Sequence, residues 1–204
     1  MFRQELFAWK VIKVKMQVSY DDMEEILSKA FDYLVKNGIE NATLRAIAQG
    51  VGYSPAHLYN FFLDKDDCII EIAKYGLTKT ASMLFEFAFE GITDLGKFFD
   101  NVLDVVEKYQ PQLRTVYQVA TSPVYGERMR KKAEDLQTSY AKYIQHLSEI
   151  LDCKPEIITP SVFNFISIVL DYVVWNDRYV SEIQIKDLYE TMTMKLEKAR
   201  METN

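Results

Sequence analysis

The side chains best suited to chemistry cluster between residues 43 and 65. Ser54-Pro55 reads as an N-cap followed by proline at the first helical position, a strong helix start. The helix it opens runs through Ala56, His57, Leu58, Tyr59, Asn60 and Phe61. A helix lying in the major groove presents its N-terminal side chains to base edges. In this helix Asn60 can pair with an adenine edge, His57 can donate or accept, and Pro55 and Ala56 can touch a thymine methyl. Upstream, Thr43 and Arg45 flank the N-terminus of a second short helix, a natural anion site. Leu44, Ile47, Ala48, Leu58 and Phe62 are expected to be core of this unit.

Other chemistry is poorly represented. The chain has no paired histidines, no nucleophile motif, no Gly-rich phosphate loop and no Glu-x-x-His pair, so no catalytic residue is assigned. His146 stands alone on a charged helix and reads as a surface residue; metal binding needs partner ligands. Cys68 and Cys153 lie far apart and read as apolar fillers rather than a disulfide or metal pair, which fits a reducing cytoplasm. No metal and no cofactor is expected.

The elements that must position these residues are helices. Of 204 residues 49% are hydrophobic and 13% aromatic, enough for a substantial core, while 7 Gly and 5 Pro are too few for a turn-rich strand fold. Residues 1–18 form an extension of unclear structure, and Met16 is a second candidate start. Ser19 caps a first helix with Ile26, Leu27, Ala30, Phe31, Leu34 and Val35 on one face, ended by Asn37-Gly38. Thr43 caps a second helix, only about two turns long and too short to stand alone in water. Gly52-Tyr53 turns the chain into the third. Two short helices joined by a tight Gly-containing turn make a helix-turn-helix.

Asp64 caps a fourth helix running to about Phe89. Further helices are expected from Thr93 or Asp94, from Pro111, from Tyr125 to Leu151, from Thr159-Pro160 through Trp175, and from Ile185 to Ala199. The helix ending at Trp175 is apolar nearly all round, so it must be covered on more than one side, and a second subunit is a natural cover. No uninterrupted apolar run reaches the roughly 18 residues of a membrane span, and no membrane partner is expected. The prediction is an all-α fold of about nine helices: a three-helix helix-turn-helix domain over 19–65, then a helical bundle over 66–204.

Residues 38–72 resemble the DNA-binding signature of the TetR family of bacterial regulators. The matching anchors are Gly38-Ile39, Thr43, Ile47-Ala48, Gly52-Tyr53-Ser54, Leu58-Tyr59, Phe62, and Lys65 leading the acidic helix start Asp66-Asp67. Two positions depart from it: His57 stands where a small residue is common, and Phe61 where His or Tyr is usual. The resemblance implies that Tyr59 and Lys65 contact phosphates, completing a DNA-binding set of Thr43, Arg45, Ser54, Pro55, Ala56, His57, Tyr59, Asn60 and Lys65. It also implies double-stranded operator DNA as partner and a homodimer through the last two long helices. A small-molecule effector is implied in the C-terminal bundle, with Phe85, Phe89, Phe98, Tyr117, Tyr172 and Trp175 as aromatic lining.

Charge cuts the other way. The chain carries a net −6, and residues 19–66 hold four basic groups (Lys29, Lys36, Arg45, Lys65) against eight acidic ones (Asp21, Asp22, Glu24, Glu25, Asp32, Glu40, Asp64, Asp66). Two features offset this. The acids gather at helix N-termini, and Arg3, Lys10, Lys13 and Lys15 against Glu5 make the extension basic, a candidate arm along DNA. The competing reading is a helical protein-interaction module whose helix-turn-helix no longer binds DNA.

Overall fold

A computed structural model describes residues 20–91, 94–132 and 134–203. The basic extension therefore lies outside the described residues. Those residues form ten helices and no strand: α1 (Tyr20–Asn37), α2 (Leu44–Val51), α3 (Pro55–Leu58), α4 (Lys65–Gly91), α5 (Leu95–Lys108), α6 (Gln110–Thr121), α7 (Gly126–Lys132), α8 (Glu134–Ile150), α9 (Pro155–Trp175) and α10 (Arg178–Thr203). The stretch expected as one helix from Tyr125 to Leu151 corresponds to α7 and α8.

Two cores organise them. The first gathers α1 to α3 around Ile26, Leu27, Leu34, Ile47 and Leu58, and continues into α4 through Cys68, Ile69, Ile70 and Ile72. It also takes Val116 and Val119 from α6, and Tyr125 and Met129 from the α6–α7 turn and α7. The reading unit is thus seated on α4, α6 and α7, not only on its own three helices. The second core packs α5, α8, α9 and α10 around Phe98, Val102, Val106, Ile168, Tyr172, Leu188 and Leu196.

Two boundaries differ from expectation. Helix α9 starts at Pro155, with Lys154 as N-cap, so Pro160 lies inside the helix. Proline removes the N–H that would bond the carbonyl four residues back, yet the first turns tolerate such a loss best. Helix α10 starts at Arg178, not near Ile185. The stop between them needs neither Gly nor Pro: Asn176 adopts a left-handed φ of +55° and its N–H donates to Tyr172 O (2.9 Å). Asp177 then caps α10, its Oδ1 accepting from Val180 N (3.1 Å).

The C-terminal end of α9 is tied across the fold. Gln110 Nε2 donates to Tyr172 O (3.3 Å) and Asn176 Oδ1 (2.7 Å), and Arg114 donates to Val173 O (3.1 Å). These groups satisfy C-terminal carbonyls and set a cation against the negative end of the helix. Arg178 joins α10 to α5 through Asp104 (2.6 Å) and Glu107 (2.7 Å), and also meets Glu182 (2.8 Å).

Helix α9 is long and apolar enough, by length and composition, to cross a membrane. Its inner side packs on the second core, while Phe163, Val174 and Trp175 face outward. Tyr179, Val180 and Ile183 of α10 are exposed as well.

Candidate nucleic-acid interface

Helix α2 is set by its two ends. Ala46 N–H donates to Thr43 Oγ1 (3.0 Å) at the start. At the finish Gly52, with φ +83°, donates to Gln49 O (3.3 Å), and Tyr53 N–H donates to Ala48 O (2.9 Å). This paired closure requires a left-handed residue, which glycine adopts without strain. It aims the chain directly into α3, where His57 N–H donates to Ser54 Oγ (3.2 Å) and Pro55 fills the first helical position.

The regular part of α3 is only four residues long. Hydrogen bonds from Asn60 N to His57 O (3.1 Å) and from Phe62 N to Leu58 O (3.0 Å) carry the coil onward as turns through Tyr59 to Phe62. Leu58 and Phe62 are buried, and the opposite side carries Ala56, Tyr59 and Asn60 into solvent. Tyr59 is 60% exposed, which is unusual for a tyrosine beside a core and leaves its hydroxyl free to reach outward. Arg45, Thr43 and Ser54 are exposed; Pro55, His57 and Lys65 are half-buried. The predicted polar set therefore lies on the starts of α2, α3 and α4 and on the turn after α3. Thr43 and Ser54 already accept a backbone hydrogen bond each, so their first task is to cap.

His57 differs most from expectation. Its ring stacks on Tyr53 (centroids 4.8 Å, planes 8° apart) and meets Phe61 edge-on at 5.1 Å. Residues 53, 57 and 61 are four apart, the spacing that puts side chains on one helical face. Tyr53 and Phe61 thus support His57, a role the motif does not assign them, although their spacing is visible in the sequence.

Lys65 opens α4 beside a reciprocal cap: Asp67 N–H donates to Asp64 Oδ1 (2.7 Å), while Asp67 Oδ2 accepts from Leu63 N (3.1 Å). Asp67 also meets Arg128 of α7 at 3.7 Å. Two of the acids near this unit are thus spent on the N-terminus of α4, where the helix dipole favours them. Arg128 has no signal in the local sequence, because the pairing spans α4 and α7.

Of the six aromatic candidates of the C-terminal bundle, the four with described side chains have different surroundings. Phe98 is packed against Phe87 (5.6 Å), Phe99 (5.1 Å) and Phe165 (5.7 Å) within the second core. Tyr172 is buried, its hydroxyl donating to Glu107 Oε2 (3.3 Å); burial, then the Glu107 charge, raises its pKa. Tyr117 is half-buried on α6. Trp175 is 76% exposed and lines nothing within this chain, because the α9 stop at Asn176 turns it outward. The side chains of Phe85 and Phe89 lie outside the described residues. Cavities occur instead where the reading unit meets the bundle: one of about 120 Å3 among α1, α4 and the α5–α6 corner, and an open groove by Lys65 and Tyr125.

Among the described residues no group of three or more His, Cys, Asp or Glu side chains could hold a metal ion. Cys68 is buried and its thiol is pushed up to about 12, chiefly by burial and then by Asp67 and Glu71. His146 lies on the surface of α8 near Glu149 (3.9 Å).

Residues 26–72 match the family model described as bacterial regulatory proteins, tetR family. No curated protein is significantly similar in sequence. Two solved structures share the fold. The fatty acid degradation regulator FadR from Bacillus halodurans has 14% identity and a TM-score of 0.55, with 86% of this chain and 96% of that one covered. A TetR family transcription regulator from Marinobacter aquaeolei VT8 has 13% identity and a TM-score of 0.51, with 84% and 96% covered. The helix-turn-helix described above carries the tetR-family match over residues 26–72, and the described residues share the all-helical fold of these two regulators.

Proposed function

We propose that the chain is a dimeric, sequence-specific DNA-binding repressor of the cytoplasm, released from a palindromic operator by a small-molecule effector. The observation that carries this reading is the outward face of the α2–turn–α3 unit. Tyr59 and Asn60 stand exposed beside Arg45, on a backbone fixed at three points by Thr43, Gly52 and Ser54. Asn60 reads an adenine edge and Ala56 a thymine methyl; Tyr59, Lys65 and Arg45 hold phosphates. His57 is held by its two aromatic neighbours, so it contributes a fixed edge rather than a mobile donor.

The exposed apolar surface of α9 and α10 supports dimerisation there. Trp175 at the end of α9 and Tyr179, Val180 and Ile183 at the start of α10 are exposed apolar side chains of the kind that a partner covers. A two-fold axis between two such chains sets two α3 helices into successive major grooves, so the operator is a palindrome. The effector is apolar or aromatic and enters the bundle near Phe98, Tyr117 and Tyr172. Phe98 and Tyr172 sit in closed packing, so entry parts α5 from α9 and biases the two states of α4 unequally.

Operator affinities of single variants test this. Asn60→Ala should relax preference at one base pair per half-site, at about 1–3 kcal/mol. Tyr59→Phe and Lys65→Ala should weaken all sequences alike, and Lys65→Ala should flatten the salt dependence. Equal affinity of all three variants for every duplex contradicts the reading. The excess of acids over residues 19–66 favours one second reading, a helical interaction module that binds protein instead of DNA.

A further inference from the structure

From Leu63 to Asp66 the corner between α3 and α4 has no buried side chain: Leu63 and Asp64 are exposed, Lys65 and Asp66 half-buried. Hydrogen bonds fix its backbone instead, and Asp67 is their centre. The Asp67 N–H donates to Asp64 Oδ1 (2.7 Å), and Asp67 Oδ2 accepts from Leu63 N–H (3.1 Å). The second oxygen, Oδ1, faces Arg128 Nη2 of α7 at 3.7 Å, an ion pair rather than a hydrogen bond. One carboxylate therefore holds the corner with one oxygen and α7 with the other. The Asp67 side chain is only 12% exposed, and Glu71, one turn further along α4, is buried as well. Buried carboxylates call for a cation, and a partly buried pair is screened less than one in open solvent. Arg128 brings that charge from a well-seated helix. Tyr125 and Met129, on either side of it in sequence, are buried in the first core, which also holds Leu58 and Phe62 under the reading helix.

We infer that Arg128 is a positioning residue for DNA reading, acting through Asp67 on the α3–α4 corner. Apolar packing in the first core brings α7 against α4 but has no preferred direction. The ion pair supplies one. With its carboxylate held by Arg128, Asp67 keeps Leu63 N–H bonded. Tyr59 and Asn60 before that point and Lys65 after it then keep their mutual placement. Without Arg128 the carboxylate turns to water, Leu63 N–H is released more often, and the DNA face loses its fixed spacing. Arg128 itself is assigned no phosphate, since its guanidinium is turned to Asp67. The effect on operator affinity rests on the DNA-binding reading above; the link from Arg128 to the corner does not.

The test uses the full chain as Arg128→Met, Asp67→Asn and the double variant. Methionine keeps most of the volume and removes the charge. Asparagine keeps an acceptor for Leu63 N–H and removes the charge that faces Arg128. In the DNA-free protein, hydrogen exchange at Leu63 N–H should speed up by about threefold or more in Arg128→Met, with little change in melting temperature. Affinity for a duplex selected by the parent chain should fall by about threefold to tenfold, with an unchanged salt slope. In the Asp67→Asn background, Arg128→Met should have no further effect on either quantity. Unchanged exchange at Leu63, or effects that add in full to those of Asp67→Asn, overturn the inference. A loss of affinity with the salt slope reduced by about one makes Arg128 a phosphate contact and overturns it too. Faster exchange with unchanged affinity overturns the role in reading. If the parent binds no duplex while exchange at Leu63 still depends on Arg128 through Asp67, the DNA-binding reading fails and the link to the corner stands.

Discussion

Replacing Gly76 by alanine probes the joint between the reading helices and the bundle. A Cβ added there would lie 2.5 Å from Cζ and 2.6 Å from Cδ2 of Phe31. Carbon atoms pack best at about 3.5–4.0 Å, so ring and helix must separate by about 1 Å. Phe31 is 5% exposed and enclosed by the first core, so its ring has no free space to swing into. Such overpacking costs about 1–3 kcal/mol, and the better helix propensity of alanine returns about 1 kcal/mol. The net expectation is a loss of up to about 2 kcal/mol, or up to about 4–8 °C in melting temperature for a chain of this size. Operator affinity should fall with it, because the displaced helix is α1. Pairing the change with Phe31→Leu, which withdraws the ring edge, should recover about 1 kcal/mol relative to the sum of the single effects. A Gly76→Ala protein more stable than the parent, or strict additivity with Phe31→Leu, refutes the close-approach argument. Differential scanning calorimetry on the four proteins of the cycle decides it.

Further outcomes follow from particular side chains. Leu58→Ala, at a fully buried position under α3, should cost about 2–5 kcal/mol in chemical denaturation and abolish operator binding near the melting temperature. Ser54→Ala removes the cap on α3 and should cost about 1 kcal/mol, with a larger relative loss in operator affinity than in overall stability. Cys68 should resist iodoacetamide at pH 8, since its thiol is held protonated to about 12, and react only after denaturation. Trp175→Glu, placing a charge among the exposed apolar side chains of α9 and α10, should yield monomers by analytical ultracentrifugation; dimers that persist would move the interface elsewhere.

Local signals make the reading unit legible in the chain itself. Thr43, Gly52, Ser54 and Pro55 each act on a neighbour within a few residues, and their caps and turn form as the residue types demand. The same holds for the apolar stripes of α1 and α2, which become the first core. Legibility fades where the deciding contacts are distant. The α9–α10 break rests on an asparagine in a left-handed conformation and an aspartate cap, a weaker signal than glycine or proline. Pro160 misleads for the opposite reason, since a proline can sit early inside a helix as well as begin one. Arg128 reaches Asp67 from α7, and Gln112, Ser28 and Thr80 line one cavity from three helices. Such juxtapositions carry no spacing that a linear pattern can show. Aromatic composition points to a pocket, yet Phe98 and Tyr172 are consumed by packing and Trp175 faces outward.

Selection of bound duplexes from a random pool by the purified full-length protein shows whether a symmetric pair of these chains reads DNA sequence. The expected result is recovery of a palindrome with half-sites about one helical turn apart, lost on selection with Asn60→Ala and steeply weakened by salt. A folded protein that enriches no sequence at low salt contradicts it.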